Sequence, residues 1–332
     1  MAVALEALKA VPYLDTAELG DRTVNLMPLW DGERWRQWLA TPVGLMEIKV
    51  VDVIEVDYVA VEPAKESDLF IPFVHLMWQR GSWPEVCPMI RAICGDFRNM
   101  GVSVAKLRFI FDHRGTLPPL AASRFAETEL EYIVILTRSV FDLLQEMISI
   151  LWRDRVKLLD DAAEARRRSR SLPETFSKLV LEDKRELRTA SEIRERFGLP
   201  EPLAERYASI APFFSRLRDT RDAIVHSGSE SGHLFDTERG FCVDPTTPPF
   251  SFFEEWRQEH RHNENLVSVL PWVAHVILGT IDACNGLVDT FASVIKFPPE
   301  IAPGYGVYVR GPHSDALREV LRVDTGGAPW WG

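Results

Sequence analysis

Apolar and polar residues alternate with a strand-like period in the first third of the chain. Residues 45–61 are rich in β-branched side chains, contain no Gly or Pro, and carry charges at nearly alternate positions. This pattern predicts one long strand or a hairpin. Residues 68–100 are divided by Pro and Gly into short helical stretches, and residues 106–111 (KLRFIF) predict a second strand. Residues 1–42, which hold three closely spaced tryptophans, give no firm prediction.

The period becomes helical in the second part. Residues 124–160 contain no Gly or Pro and have an apolar majority with a polar stripe spaced by three, four or seven, which predicts one long helix. Further helical stretches are predicted at 172–197, where Gly198 and Pro200 end the pattern, at 202–226 and at 250–295. A small hairpin is predicted within 232–244. Residues 297–332 are rich in Gly and Pro and are expected to wrap the surface.

The stretch GTLPP at residues 115–119 predicts a linker, because its prolines can continue neither a helix nor a strand. A length of 332 residues suits two domains, or one large domain with an accessory module. The predicted division is an N-terminal α+β accessory module at 1–115, a helical bundle with the hairpin inserted at 120–296, and a Gly/Pro-rich tail at 297–332. The predicted fold class is therefore mainly α.

The charge of the chain is negative but unevenly distributed. With 38 basic and 49 acidic residues the formal net charge is -11, so binding of duplex nucleic acid by counterion release alone is not expected. Residues 151–230, however, hold 17 Lys and Arg against 15 Asp and Glu. A polyanion that binds this chain is expected to bind there.

The sequence contains no sign of a disulfide framework, a metal site, a cofactor site or a membrane span. Its four cysteines are scattered, and the spacing of Cys87 and Cys94 matches no common zinc site. The longest apolar stretch, 266–295, is interrupted by Pro, His, Asp and Asn, and the first residues lack the basic region of a signal peptide. We therefore expect a cytoplasmic protein that needs no metal and no cofactor and does not contact a membrane.

The stretch that points most directly to chemistry is 218–228, RDTRDAIVHSG, in which Arg221 and His226 lie near the end of a predicted helix. Cleavage of RNA by its own 2′-hydroxyl needs a base, an acid and a cation beside the phosphorane. Histidine suits the first two roles and arginine the third. On a straight helix the two residues lie about 140° apart. They can line one cleft if the helix frays at 227–228 or if the cleft lies between two subunits.

The Arg-x4-His spacing alone is not specific, because it also occurs at Arg108/His113 and Arg257/His262. The context of Arg221 and His226 is distinctive: a helix end, Asp222 after the arginine, an apolar interior and a following Ser-Gly. In this context residues 120–296 resemble the HEPN superfamily, whose signature is R-x(4–6)-H with a polar residue after the arginine. Asparagine is the commoner residue at that place, and Asp222 departs from it.

The resemblance implies a HEPN-like helical bundle and a metal-independent endoribonuclease, a hydrolase found in toxin–antitoxin, anti-phage and RNA-processing systems. It implies a homodimer in which two motifs meet, with His226 as acid and base, Arg221 as phosphate clamp and Asp222 as orienting residue. The partners expected on this interpretation are RNA, a second copy of the chain, and an antitoxin or other protein.

Two alternatives stay open at this point. Arg138 and Asp142 lie one turn apart on the long predicted helix, where they can form a simple ion pair or where Asp142 can orient Arg221 or His226. In the non-catalytic interpretation His226 caps a helix end or packs in the core, and Arg221 pairs with Asp222 or Asp219. The helices would then serve as a dimerisation scaffold or bind a nucleotide or a partner.

Overall fold

The structure, a computed structural model, describes residues 4–167, 170–182, 185–226, 234–252 and 256–323. It shows an α+β protein that is 53% helical and holds a six-stranded mixed sheet and a three-stranded sheet. The prediction of a mainly α, HEPN-like helical bundle with an accessory module is therefore wrong. The long helical stretches dominate the sequence pattern, whereas the short strands, several of only two residues, leave little periodic signal.

The described elements are as follows. The helices are α1 Leu5–Leu8, α2 Pro72–Arg80, α3 Cys87–Asp112, α4 Ala121–Ile150, α5 Asp161–Arg167, α6 Phe176–Val180, α7 Ala190–Phe197, α8 Glu201–His226, α9 Leu270–Val294 and α10 Ser314–Val323. The strands are β1 Leu29–Trp30, β2 Trp35–Thr41, β3 Gly44–Val50, β4 Val56–Ala60, β5 Leu69–Phe70, β6 Phe235–Thr237, β7 Gly240–Val243, β8 Val267–Ser268 and β9 Gly306–Arg310.

The large sheet has the strand order β3-β2-β1-β4-β9-β5. Only the β1–β4 pair is parallel, and the other pairs are antiparallel. The tryptophan-rich stretch without a firm prediction forms β1 and β2. Residues 45–61 form neither the one long strand nor the hairpin that the alternation predicted, because β3 pairs with β2 whereas β4 lies between β1 and β9. Non-local pairing decided this arrangement.

The C-terminal segment supplies an interior strand of this sheet, next to the edge strand β5. Strand β9 pairs with β4 on one side and β5 on the other, and Val307 and Val309 are buried. The expectation that residues 297–332 wrap the surface is therefore wrong for the part that forms β9, and α10 packs against α3. The available signal was the short run of β-branched and aromatic residues at 307–309. The Gly and Pro residues around this run favoured the prediction of a loop.

A buried ion pair holds β9 beside the loop that leads to β5. The Arg310 guanidinium donates to both carboxylate oxygens of Asp68, with Nε–Oδ1 and Nη2–Oδ2 distances of 2.9 and 2.6 Å. The Tyr58 hydroxyl donates to the same carboxylate at 2.7 Å, and the guanidinium lies 4.7 Å from the centroid of the Trp35 ring. Both charged side chains are at least 96% buried. The charges are thus paired, hydrogen-bonded and covered by aromatic rings.

Helix α3 corrects the strand predicted at 106–111, which forms its last turns. Val104 and Leu107, three positions apart, are buried, whereas Phe109 is 62% exposed. This spacing follows a helix, so packing against α4 overrides the strand preference of Phe and Ile. Helix α4 ends at Ile150, where a π turn, Leu151–Arg155, follows, ten residues before the predicted end.

Several local predictions are confirmed. Helix α8 occupies the predicted range, and β6 and β7 form the predicted hairpin. Helix α7 ends at Phe197, and Gly198 adopts a φ of 67°, the left-handed conformation that favours glycine at a helix end. The helical stretch at 172–197 is interrupted between α6 and α7, and the part of 250–295 before α9 is mostly irregular and contributes β8.

One cluster of buried apolar side chains extends from Val11 to Val320 and includes residues from both sides of the predicted linker. Within it α4, α8 and α9 contact one another, and α2 and α10 contact α9. None of the helices in the described ranges combines the length and apolar character required to cross a bilayer. The packing of α4 on α8 brings charged residues of the two helices near one another.

Substitution of one partner of the buried pair is expected to destabilise the fold. Asp68→Ala leaves the Arg310 charge buried without its carboxylate and should lower the free energy of unfolding by about 3–5 kcal/mol. Arg318→Ala, which removes the pair between the partly exposed Arg318 and the exposed Glu66, should change it by less than about 1 kcal/mol. Urea unfolding of the two variants beside the wild type measures both. Equal losses would contradict the structural role of the buried pair.

Candidate functional site

One face of α8 carries the candidate site. Phe214, Arg218, Arg221 and Asp222 are spaced by four, three and one residues, so they lie on the same side of the helix. This side faces α4, where Phe141 contacts the Phe214 ring edge-on with centroids 5.3 Å apart. The two helices therefore share an aromatic contact one turn before Arg218 on α8.

Helices α4 and α8 run in opposite directions. The Tyr207 hydroxyl near the start of α8 donates to Gln145 near the end of α4, at 3.0 Å. Midway along α8, the centroid of the Phe214 ring lies 4.4 Å from the guanidinium of Arg138, which comes earlier in α4. The antiparallel arrangement thus places the middle of α4 beside the last turns of α8.

Arg138 and Asp142 form the predicted i,i+4 ion pair on α4, with 3.2 Å between Nη2 and Oδ1. This prediction is confirmed. Burial raises the pKa of Asp142, and the positive charges of Arg138 and Arg221 act in the opposite direction. The carboxylate therefore lies within electrostatic reach of α8, which is the position that the orienting role required.

Burial also lowers the pKa of Arg138, and this guanidinium senses charges on α8. Asp142 and Asp222 raise its pKa, whereas Arg218 and Arg221 lower it. Arg218 and Arg221 of α8 therefore lie within electrostatic reach of Arg138 on α4. We call Arg138, Arg218 and Arg221, with Asp142 and Asp222, the α8 charged cluster.

Arg221 is 46% exposed and lies 3.4 Å from Asp222, measured between Nη1 and Oδ1. This contact is the one that the non-catalytic interpretation predicted. Arg185 adds a further cation, since its guanidinium donates to Asp219 and to Asp222 at 2.9 Å each. Asp222 is thus held between two arginines, and Arg221 remains accessible to solvent.

The structure brings together four of the five residues predicted from the sequence: Arg138, Asp142, Arg221 and Asp222. The fifth, His226, is the last residue of α8, and its side chain lies outside the described residues. The backbone is helical through both motif positions, so Arg221 and His226 are separated by about 1.4 turns of continuous helix.

Two participants were missed in the sequence. Arg218 lies one turn before Asp222 in the motif stretch, and its spacing was the available signal. Within the described part of the chain Arg218 takes part in no ion pair shorter than 4 Å, and it is half-buried. Arg185 comes from a distant turn with a left-handed backbone, φ 72°, and no pattern in the sequence links it to α8.

Other clusters in the described ranges are less suited to the predicted chemistry. No group of three or more His, Cys, Asp and Glu side chains there has the arrangement needed to hold a metal ion. A groove of about 680 Å³ lies at the opposite end of α8, beside Gly198 and Pro202, with Arg170 and Arg194 among its lining residues. Its arginines are mixed with carboxylates such as Glu195 and Glu201.

Comparison with known proteins adds no relative. A scan against models of protein families and searches of curated proteins and of solved structures found no match to this chain.

The proximity of the two helices predicts a measurable effect on titration. Arg221→Gln removes a positive charge that lowers the pKa of Asp142, so that pKa should rise further above its ordinary value. Carbon-13 NMR of the aspartate carboxyl groups over a pH series measures the shift. Arg153→Gln, in the π turn beyond α4, should leave the Asp142 titration unchanged. An unchanged pKa in Arg221→Gln would place Arg221 outside the α8 charged cluster.

Proposed function

We propose that this chain is a metal-independent endoribonuclease that acts as a homodimer through the end of α8. The observation that carries the proposal is the convergence of Arg138, Arg218 and Arg221 beside a single helix end that also bears a histidine. Three guanidinium groups at one place attract a phosphate, and the histidine belongs to the class of side chain that moves protons near neutral pH.

Arg221 is the phosphate clamp in this proposal. It is permanently charged and half-exposed, and its Nη1 atom contacts the carboxylate of Asp222. That carboxylate also pairs with Arg185. A guanidinium oriented by a carboxylate offers its remaining N–H groups to the non-bridging oxygens of a phosphodiester, and it stabilises the charge that develops in the phosphorane.

Arg218 supplies the second positive charge. In the described part of the chain it takes part in no ion pair, so its charge is available to a bound anion. Arg138 is fixed in place by stacking on Phe214 and by pairing with Asp142. Asp142 is a positioning residue, since it acts through Arg138 and Arg221 and does not itself contact a phosphate.

His226 is the general acid and base. It removes the proton of the 2′-hydroxyl and returns a proton to the departing 5′-oxygen. Because α8 remains helical from Arg221 to His226, the two positions of one chain lie about 140° apart around the helix axis. The proposal therefore includes a second copy, whose motif supplies the complementary group across a twofold axis.

The cellular setting belongs to the proposal as well. A cytoplasmic nuclease of this kind cuts RNA and is restrained by a protein partner such as an antitoxin, or takes part in defence against phage. The charge of the chain agrees with a local rather than a general attraction for RNA, since residues 151–230 are far less acidic than the remainder.

One observation favours the alternative, a non-catalytic scaffold that binds a nucleotide or a partner protein. The carboxylates of Asp219 and Asp222 already neutralise Arg185 and part of Arg221. In such a scaffold these ion pairs would fix α8 to the turn around Arg185, and His226 would have no chemical task.

Purified wild-type protein should cut RNA in the presence of EDTA and leave 2′,3′-cyclic or 3′-phosphate ends. His226→Ala should reduce the rate by about 10²-fold or more, because it removes the acid and the base, and Arg221→Ala should reduce it by a similar factor. Separation of end-labelled RNA fragments on denaturing gels measures both the rate and the end chemistry.

The matched control is His113→Ala. His113 ends α3, is exposed, and has the same Arg-x4-His spacing with Arg108, but it lies outside the α8 charged cluster. Its removal should leave cleavage unchanged, and circular dichroism should show that all three variants are folded. Cleavage that persists in His226→Ala, or that is lost equally in His113→Ala, would reject the nuclease proposal.

A further inference from the structure

Strand β3 is the outer strand of the six-stranded sheet, and its second edge has no strand beside it in the described part of the chain. We propose that this edge pairs antiparallel with β3 of a second copy, about a twofold axis at Ile48. This inference concerns a different surface from the α8 charged cluster and does not depend on the nuclease proposal.

The hairpin between β2 and β3 determines which backbone groups are free. Thr41 and Gly44 are partners across a two-residue turn, so they form a hydrogen-bonded pair, and every second residue of β3 beyond Gly44 is bonded to β2 in the same way. The N–H and C=O groups of Leu45, Glu47 and Lys49 therefore point away from β2. An added antiparallel strand must bond to these three residues.

The twofold pairings of β3 with itself that use these groups include registers centred at Met46, Glu47, Ile48 and Lys49. The register centred at Met46 sets Glu47 opposite Leu45 and gives no charge pair. A register centred at Glu47 sets two glutamates opposite each other, and one centred at Lys49 sets two lysines opposite each other. Both contain a like-charge pair at the axis, which is unfavourable. The register centred at Ile48 sets Glu47 of each copy opposite Lys49 of the other and gives two favourable charge pairs.

The remaining pairs in this register are apolar. Met46 lies opposite Val50, Ile48 lies opposite itself, and Leu45 lies opposite Val51. Met46 and Val51 are 51% and 90% exposed in the single chain. Apolar residues with such exposure on an edge strand promote aggregation unless a partner covers them. The pairing covers them and satisfies the free backbone groups.

The occupant is a second copy rather than an unrelated strand because the complementarity is internal to residues 45–51. Each pair from 45/51 to 48/48 is either apolar or oppositely charged, and both members come from the same segment. A different peptide would have to supply this pattern independently. The shared sheet joins the two large sheets edge to edge.

Charge exchange at the edge tests the register. Glu47→Lys and Lys49→Glu each set like charges opposite each other twice, so each should weaken self-association about tenfold or more. The double variant, Glu47→Lys with Lys49→Glu, restores opposite pairs and should restore the dimer. Arg36→Gln is the control, because it removes the intrachain Arg36–Glu47 ion pair and leaves the edge charges unchanged. The contact proposed through the end of α8 is the same in all of these variants. Sedimentation equilibrium of each variant beside the wild type therefore measures the change in self-association that the β3 edge contributes.

Disulfide trapping provides a test that does not depend on those charges. In the proposed register the two Ile48 Cα atoms lie about 4.5 Å apart, which suits a disulfide. Ile48→Cys should therefore form a covalent dimer under mild oxidation. Met46→Cys should not, because its two copies lie about 14 Å apart. The four native cysteines are buried, so they add little background.

A wild-type chain that stays monomeric at high concentration, or equal trapping at positions 46 and 48, would overturn the proposal. Failure of the double charge variant to recover the dimer would also overturn it. Loss of RNA cleavage with an intact β3 dimer would bear only on the α8 charged cluster.

Discussion

The pairing of Asp68 with Arg310 joins segments that are separated by most of the chain. Arg310 ends β9, which lies between β4 and β5, and Asp68 precedes β5. A buried arginine is tolerated because the carboxylate, the Tyr58 hydroxyl and the Trp35 ring surround the charges. The sheet is complete only when this C-terminal strand is in place, and α10, which follows it, then packs on α3.

The α8 charged cluster applies similar chemistry with a different outcome. Arg138 stacks on Phe214 and pairs with Asp142, so a ring and a carboxylate hold it, although with fewer hydrogen bonds than Arg310. The neighbouring Arg221, however, is about half exposed, and Arg218 adds a charge that the described carboxylates do not pair. A fully satisfied pair such as Asp68–Arg310 contributes to the fold, whereas an accessible surplus of guanidinium groups suits the binding of a phosphate. This difference supports a functional role at the end of α8.

The predictions that failed did so for identifiable reasons. Residues 106–111 have strand-forming side chains, but contact with α4 selects the helix, as the buried Val104 and Leu107 show. The mainly α fold class was wrong because two-residue strands such as β1 and β5 leave no periodic signal. The local ion pairs were better predicted, since Arg138–Asp142 and Arg221–Asp222 join residues whose spacing is visible in the sequence.

Local spacing in the sequence determined the course of α8, the end of α7 at Gly198, the hairpin of β6 and β7, and the ion pair on α4. Each depends on residues within one or two turns of each other, for which the chain itself sets the distance. Tertiary structure alone decided that β9 enters the large sheet, that Arg310 meets Asp68, and that Arg185 reaches Asp219 and Asp222. Those contacts join segments separated by tens to hundreds of residues, and they form only because burial of the shared apolar core brings the segments together.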